Sequence, residues 1–149
     1  MPTQTYKHPN TCSHCGQWPK PTLTVDGIIT KDRKILLMTR KFPPFEGQWV
    51  LPGGHVDYGE RVERALERKL KEETGLDVAP VRLVGVYSDP KRDPRYHTVA
   101  LCYETKITGG KIRQNRESEG LRWLPLDGVP KLAFDHSQMV KDYRRLNER

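Results

Sequence analysis

The pattern of hydrophobic and polar positions predicts a chain built mostly from strands, with one helix near its middle and one at its end. Runs rich in β-branched and aromatic residues, bounded by Gly, Pro or charged turns, are typical of strands. They cover residues 22–29, 34–40, 48–52, 81–88, 97–107 and 121–126. Residues 60–74 contain neither Gly nor Pro and precede Gly75, which predicts a helix with a glycine cap. A second helix is predicted over residues 137–149. This order favours a layered α/β or α+β domain.

The central helix carries acidic residues in an unfavourable place. Its apolar residues share one face that would lie on the sheet, namely Val62, Ala65, Leu66 and Leu70. Glu72 and Glu73 fall at the margins of that face, with Lys69 between them. Acids in the last turn oppose the helix dipole by about 0.3–1 kcal/mol. A divalent cation with oxygen ligands would resolve the conflict. Ion pairing at the rim is the alternative, and the helix alone slightly favours it.

The residues before the helix change this balance. The stretch LPGGHVDYGE (51–60) predicts a Gly-rich turn, where backbone groups can approach a phosphate or a metal closely. Gly54 is followed after five residues by Glu60 and after seven more by Arg68, and then by KLKEETGL. This arrangement resembles the Nudix box, G-x5-E-x7-R-E-U-x-E-E-x-G-U, where U is aliphatic. Eight of its nine fixed positions match, and Lys69 stands where the family has the first Glu after the Arg.

The resemblance covers about residues 21–146. The stretches GVYSDPKRDPRYHTVAL and KLAFDH are similar to the Nudix branch assigned ADP-ribose pyrophosphatase activity. The resemblance implies a Nudix fold, with a mixed β-sheet in an α/β/α sandwich. It also implies an enzyme dependent on Mg²⁺ or Mn²⁺ that cleaves a nucleoside diphosphate linked to another moiety, with ADP-ribose or a related nucleotide sugar favoured. One alternative is a nucleoside triphosphate or RNA 5′-end pyrophosphohydrolase. Another is a catalytically weakened nucleotide-binding protein.

The resemblance also implies roles for residues in the box. Glu72 and Glu73 would be metal ligands and part of the catalytic set, with the Gly54 carbonyl as a further ligand. Arg68, also in the catalytic set, would form a supporting ion pair with Glu60.

Family members often take a further acid from a later loop. The stretch RQNRESEG offers Glu117 and Glu119, and Glu119 is the candidate for both the metal and the catalytic set. A solvated loop acid is an equally good interpretation of either residue.

The candidates for substrate binding are basic residues: Arg40, Arg92, Arg95 and His97. The last three belong to SDPKRDPRYH, a loop that could bring them to the diphosphate or the distal ribose. The alternative is a rigid turn set by its Asp-Pro steps, with its charges in water.

Lys69 is the residue of the box that bears most directly on catalysis. Its ammonium could pair with Glu72 or Glu73, which is worth about 0.2–0.5 kcal/mol on an exposed helix and competes with metal binding. If the missing Glu were the general base, activity would fall by about 10²–10⁴-fold. A base supplied by Glu119, Glu117 or Asp57 would preserve activity. A third outcome is a module that binds a nucleotide diphosphate without cleaving it.

Residues 1–20 are expected to form an irregular N-terminal segment, and 21–149 the Nudix domain. Cys12 and Cys15 form half of a zinc knuckle, but no second pair of cysteines follows. Free thiols are therefore favoured over a structural zinc. Three cysteines in all and no signal-like apolar stretch favour a reducing, cytoplasmic setting.

The net charge of +7 allows an anionic partner. A small nucleotide diphosphate is the favoured partner, and nucleic acid is not, because no aromatic-interleaved RNA motif is present. No apolar run approaches the roughly 18 residues of a membrane span, so no membrane contact is expected. A homodimer is left open.

Overall fold

The computed structural model describes residues 14, 17, 19–113 and 118–148, the last range without the side chains of Ser118 and Glu119. The strands are β1 (Thr22–Ile28), β2 (Thr30–Lys31), β3 (Lys34–Arg40), β4 (Trp49–Val50), β5 (Gly53–His55), β6 (Leu76–Tyr87), β7 (Thr98–Gly110) and β8 (Ser118–Pro125). The helices are α1 (Val62–Thr74) and α2 (His136–Asn147), with a short 3-10 helix at Leu126–Gly128.

The strands form two sheets, and one of them is mixed. In the first sheet the order is β5-β1-β7-β6; β1 and β7 run parallel, and the other pairs run antiparallel. In the second sheet β3 pairs antiparallel with β2, β4 and β8. Strand β1 therefore lies between β7 and the short β5, and its Gly27 lies against Leu70 of α1.

The core lies on both faces of the strands. Successive side chains of a strand point to opposite faces. On β3, Leu36 joins the apolar cluster that contains Leu66 and Leu70 of α1, whereas Leu37 joins the cluster that contains Met139 of α2. Burial of each such side chain contributes about 1.5–3 kcal/mol. The predicted α/β/α sandwich with a mixed sheet is confirmed.

Helix α1 begins at Val62 rather than at the predicted residue 60. Arg61 has extended backbone angles, and the Glu60 side chain is held by Arg68, so the chain becomes helical only after both. The predicted cap is present, since Gly75 adopts φ +81° and its N–H donates to the Lys71 carbonyl at 2.9 Å.

The predicted Gly-rich turn is partly a strand. Gly53–His55 forms β5, and Gly53 lies directly opposite Asp26 of β1. A side chain at Gly53 would overlap the Val25 carbonyl and approach Asp26, so only glycine allows this pairing.

The two strands of the antiparallel β6–β7 pair extend beyond the predicted residues 81–88 and 97–107. Strand β6 begins at Leu76, directly after the helix cap, rather than at residue 81. Leu76 pairs with Gly110, and a register shift next to Pro80 accommodates the missing N–H of that residue. Within the described part of the chain, neither helix is long and apolar enough to cross a membrane.

Candidate functional site

Arg68 ties α1 to the loop in front of it. Its Nε donates to Glu60 Oε2 at 2.8 Å and its Nη2 donates to Glu60 Oε1 at 2.9 Å. The same Nη2 donates to the His55 carbonyl at 3.1 Å and lies 3.4 Å from Asp57 Oδ2. The hydrogen bonds from Arg68 and from the Asp57 backbone lower the pKa of Glu60 to about 2. The two residues implied as a supporting pair are therefore in contact, and they set the position of the helix.

Glu73 is buried where α1 meets β5. Only 6% of the residue is exposed, and its Oε2 accepts a hydrogen bond from the Gly53 N–H at 2.7 Å. Charge-assisted hydrogen bonds of this kind hold a carboxylate in one orientation. The wheel-based expectation that this acid lies near the core is met.

Glu72 lies at the rim of the site. Its side chain is 45% exposed, and it receives Arg68 Nη1 on Oε1 and Lys69 Nζ on Oε2, both at 3.2 Å. Partial burial raises the pKa of this carboxyl, but the hydrogen bonds from Lys69 and Arg68 outweigh it and lower the pKa. The pairing of Lys69 with Glu72 considered from the sequence is thus formed.

A cavity of about 280 Å³ lies beside Glu73, between β1, β5 and the segment before α2. Its wall carries five basic side chains: Arg40, Lys41, Lys69, Arg92 and Arg95. The acids in the wall are Asp26, Glu73 and Asp93. This excess of positive charge suits an anionic ligand.

Two of the predicted substrate-binding residues are held over an aromatic ring. The Arg40 guanidinium lies 5.0 Å from the centre of the Phe134 ring, and its Nε donates to the Pro44 carbonyl at 2.6 Å. Arg95 lies 5.9 Å from the same ring and pairs with the buried Asp93 at 2.8 Å. Both guanidiniums face the cavity in fixed positions.

The other two predicted substrate-binding residues differ in their environment. Arg92 lines the cavity but is buried, with Nη2 2.6 Å and Nε 2.9 Å from the Asp135 carboxylate. His97 is not part of the cavity wall, and its Nε2 lies 3.1 Å from the Ser88 carbonyl. The loop therefore contributes Arg92 and Arg95 to the site and leaves His97 outside.

Asp26 and His136 form a buried pair in the cavity wall that the sequence analysis missed. His136 Nε2 lies 3.6 Å from Asp26 Oδ1. The Leu51 N–H donates to His136 Nδ1 at 3.1 Å, so the proton of the neutral ring is on Nε2 and faces Asp26. Burial raises the pKa of Asp26 to about 8 and lowers the pKa of His136 to about 3. Asp26 follows Val25 and precedes Gly27, Ile28 and Ile29, and an aspartate in such a strand could have pointed to a buried acid, though not to its partner.

Several predicted residues cannot be placed. Cys12, Cys15 and Glu117 lie outside the described residues. The backbone of Glu119 lies in β8 opposite Thr39, and its side chain is not among the described parts of the structure. Cys102 is buried in β7.

Glu72 and Glu73 offer carboxylate oxygens to a metal ion. Among the described residues, no three His, Cys, Asp or Glu side chains converge into a metal cage. Mg²⁺ is commonly held by one or two protein carboxylates together with substrate phosphates. The donor set therefore fits Mg²⁺ or Mn²⁺ in company with a diphosphate.

Known proteins share both the sequence and the fold. The NUDIX domain family matches residues 20–143. An "ADP-ribose pyrophosphatase" of Methanocaldococcus jannaschii is 47% identical over 125 residues, which is 84% of this chain and 74% of that protein. An "ADPR responsive transcriptional repressor NtrR" of Acinetobacter baylyi is 34% identical over 142 residues, which is 89% of this chain and 57% of that protein. The solved NUDIX domain of Shewanella oneidensis NrtR, complexed with ADP ribose, is 30% identical, covers 87% of this chain and 90% of its own, and has a TM-score of 0.76.

Proposed function

Because this chain belongs to the Nudix family, we propose that it hydrolyses ADP-ribose or a related nucleoside diphosphate sugar with the help of Mg²⁺ or Mn²⁺. In this reaction water adds to one phosphorus while the bridging P–O bond to the other phosphate breaks. ADP-ribose then gives AMP and ribose 5-phosphate. The observation that carries the proposal is the buried Glu73 carboxylate, fixed by the Gly53 N–H in the wall of a cavity rich in cations.

The metal-binding group is proposed to consist of the Glu72 and Glu73 carboxylates and the Gly54 carbonyl. A bound Mg²⁺ or Mn²⁺ neutralises charge on phosphate oxygens and lowers the pKa of a water molecule. Glu119 is proposed as a further metal-binding and catalytic acid, because family members often take such an acid from a later loop. Arg68, paired with Glu60 and bonded to the His55 carbonyl of β5, would hold α1 in place against this strand.

Cationic and aromatic side chains are proposed to hold the substrate. Arg40 and Arg95 face the cavity beside Phe134, where they can bind phosphate oxygens near a flat apolar surface. The name of the M. jannaschii relative supports ADP-ribose as the substrate, and the S. oneidensis complex supports ADP-ribose as a ligand of this fold.

The test of this site is Glu73→Gln. The glutamine oxygen can still accept the Gly53 hydrogen bond, but the charge needed for a metal is lost. We expect kcat/KM for ADP-ribose to fall by at least about 10²-fold, the lower end for loss of a group that handles the attacking water. The measurement is chromatography of AMP and ribose 5-phosphate.

The matched control is Glu67→Gln, because Glu67 lies on the same helix and pairs with the exposed Arg64 at 3.4 Å. We expect its kcat/KM to stay within about twofold of the parent, since exposed pairs contribute little. Hydrolysis by Glu73→Gln at the parent rate would contradict the proposal.

A second candidate function is binding of ADP-ribose without hydrolysis. It is favoured by Lys69, which replaces a family carboxylate, and by the similarity to a repressor that responds to ADPR. The same assay decides, because release of AMP by the parent protein excludes this candidate. If the parent binds ADP-ribose but releases no AMP, and Lys69→Glu releases it, the second candidate is supported.

A further inference from the structure

Lys69 has a defined place in the site. Its stem crosses Gly54 so closely that a Cβ on that glycine would overlap Lys69 Cε. Only 16% of the side chain is exposed, and the residue lines the cavity. A lysine packed in this way is already ordered before any ligand arrives, so little side-chain freedom remains to be lost on binding.

The Lys69 ammonium forms an ion pair with Glu72, and this pair uses only part of its hydrogen-bonding capacity. Lys69 Nζ lies 3.2 Å from Glu72 Oε2. Among the described residues Glu72 is its ion-pair partner, while the ammonium has three N–H donors. Glu72 also receives Arg68, so two cations share one carboxylate. Lys69 can therefore offer N–H donors, as well as positive charge, to a ligand in the cavity.

Two of the neighbouring cations are more completely matched by carboxylates. Arg92 has a bidentate partner in Asp135, and Arg95 has one in Asp93. Glu73, at the same wall, already accepts the Gly53 N–H. A carboxylate at position 69 would add a further negative charge here and would require metal ions before a diphosphate could approach.

We propose that the Lys69 ammonium is a built-in cation for the diphosphate, so that this chain binds the diphosphate of its substrate before and without a metal ion. The proposal rests on the proposed function only for the identity of the substrate. Metal is then needed for the chemical step and not for binding. A site with Glu at position 69 would have the opposite dependence, because its extra carboxylate repels the diphosphate until metal is bound.

The test measures binding by calorimetry in EDTA, with inorganic pyrophosphate and ADP-ribose as separate probes. Lys69→Met keeps most of the stem and removes the charge, and Lys69→Gln is the polar neutral counterpart. Lys71→Met is the matched control, because Lys71 lies on the same helix, pairs with Asp77 at 3.0 Å and does not line the cavity. Thermal unfolding of each variant checks that it is folded.

We expect the parent and Lys71→Met to bind both probes in EDTA with Kd values within about twofold of each other. We expect Lys69→Met and Lys69→Gln to bind each probe at least about tenfold more weakly, equivalent to about 1.4 kcal/mol. The proposal is overturned if both Lys69 variants bind like the parent, or if the parent binds neither probe in EDTA.

The outcome is separable from that of the proposed function. Pyrophosphate binding that depends on Lys69, in a protein that leaves ADP-ribose intact, would support the cation role and refute the hydrolase. Hydrolysis of ADP-ribose, together with unchanged metal-free binding in both Lys69 variants, would support the hydrolase and refute the cation role of Lys69.

Discussion

Asp26 and His136 are buried beside the cavity, and burial favours the neutral form of each side chain. Desolvation disfavours the carboxylate of one and the imidazolium of the other, so both titrate far from their usual ranges. Their contact at 3.6 Å therefore joins two neutral groups across the wall, with the ring oriented by the Leu51 N–H. This pair gives the positively charged cavity a polar wall with little added charge.

His136 should make the protein sensitive to acid. The unfolded chain binds a proton on this histidine below about pH 6.5, whereas the folded protein does so only near pH 3. The unfolded state thus binds more protons between these values, so the contribution of His136 to stability is present above pH 6.5 and is lost as the pH falls toward 3.

The pH dependence of stability is compared between the parent and His136→Asn, in which the amide oxygen can still accept a hydrogen bond from the Leu51 N–H. We expect the unfolding free energy of the parent, relative to this variant, to decrease through that window by at most about 1.4 kcal/mol per pH unit. Urea unfolding at several pH values measures it. Parallel curves for the two proteins would show that this histidine titrates alike in both states.

For single residues, the sequence predicted properties that depend on neighbours along the chain better than contacts between distant residues. Glu73 could be predicted as buried because its position on the helix wheel follows from its neighbours in sequence. The pairing of Asp26 with His136 could not be predicted, because only the folded sheet brings β1 to the start of α2. The position of His97 could not be predicted for a similar reason, since the fold of its loop places the ring beside the Ser88 carbonyl.

Helix α1 carries the acidic residues of the candidate site, and two sets of contacts fix its position. Arg68, in the middle of the helix, holds it to the preceding loop through Glu60, and the last turn is closed by Gly75 and followed at once by β6. Any loosening of these contacts changes the distance between Glu73 and β5. The helix is therefore a positioning element as well as part of the core.

Arg68→Lys tests this positioning role. A lysine cannot reproduce the two parallel hydrogen bonds to Glu60 together with the bond to the His55 carbonyl. We expect kcat/KM for ADP-ribose to fall by about tenfold or more, as misplacement of a site typically costs up to 10²-fold. Stability should fall by no more than about 1 kcal/mol, because the guanidinium is partly exposed.

Arg64→Lys is the control, since its single contact at 3.4 Å with Glu67 is on the exposed side of the same helix. Its kcat/KM and thermal midpoint should match those of the parent. An equal loss of activity in both variants would indicate that arginine in general, and not the contact with Glu60, is required.

The elements themselves were largely predictable, and their limits were not. Apolar runs identified the long strands and both helices, because burial of one face imposes a period on the sequence. The start of β6 at Leu76 and the strand Gly53–His55 escaped prediction, since pairing with β7 and β1 overrides local preferences for turns.

At the scale of the whole molecule, a strongly cationic cavity lies beside Glu73 in the layered fold. The chain has a net charge of +7, and five basic side chains line this cavity. The charge alone allowed several anionic partners, and the sequence could not choose among them. The cavity favours a small anionic ligand, because its cations, the buried Glu73 and the Phe134 ring line the same space.

The most direct test of the account is the identity of the substrate. The protein is incubated with Mg²⁺ and, in separate reactions, with ADP-ribose or a deoxynucleoside triphosphate, and the products are separated and quantified. The account predicts AMP and ribose 5-phosphate from ADP-ribose, with a kcat/KM at least about tenfold higher than for the triphosphate and with all turnover lost in EDTA. Cleavage of the triphosphate with ADP-ribose left intact would contradict it.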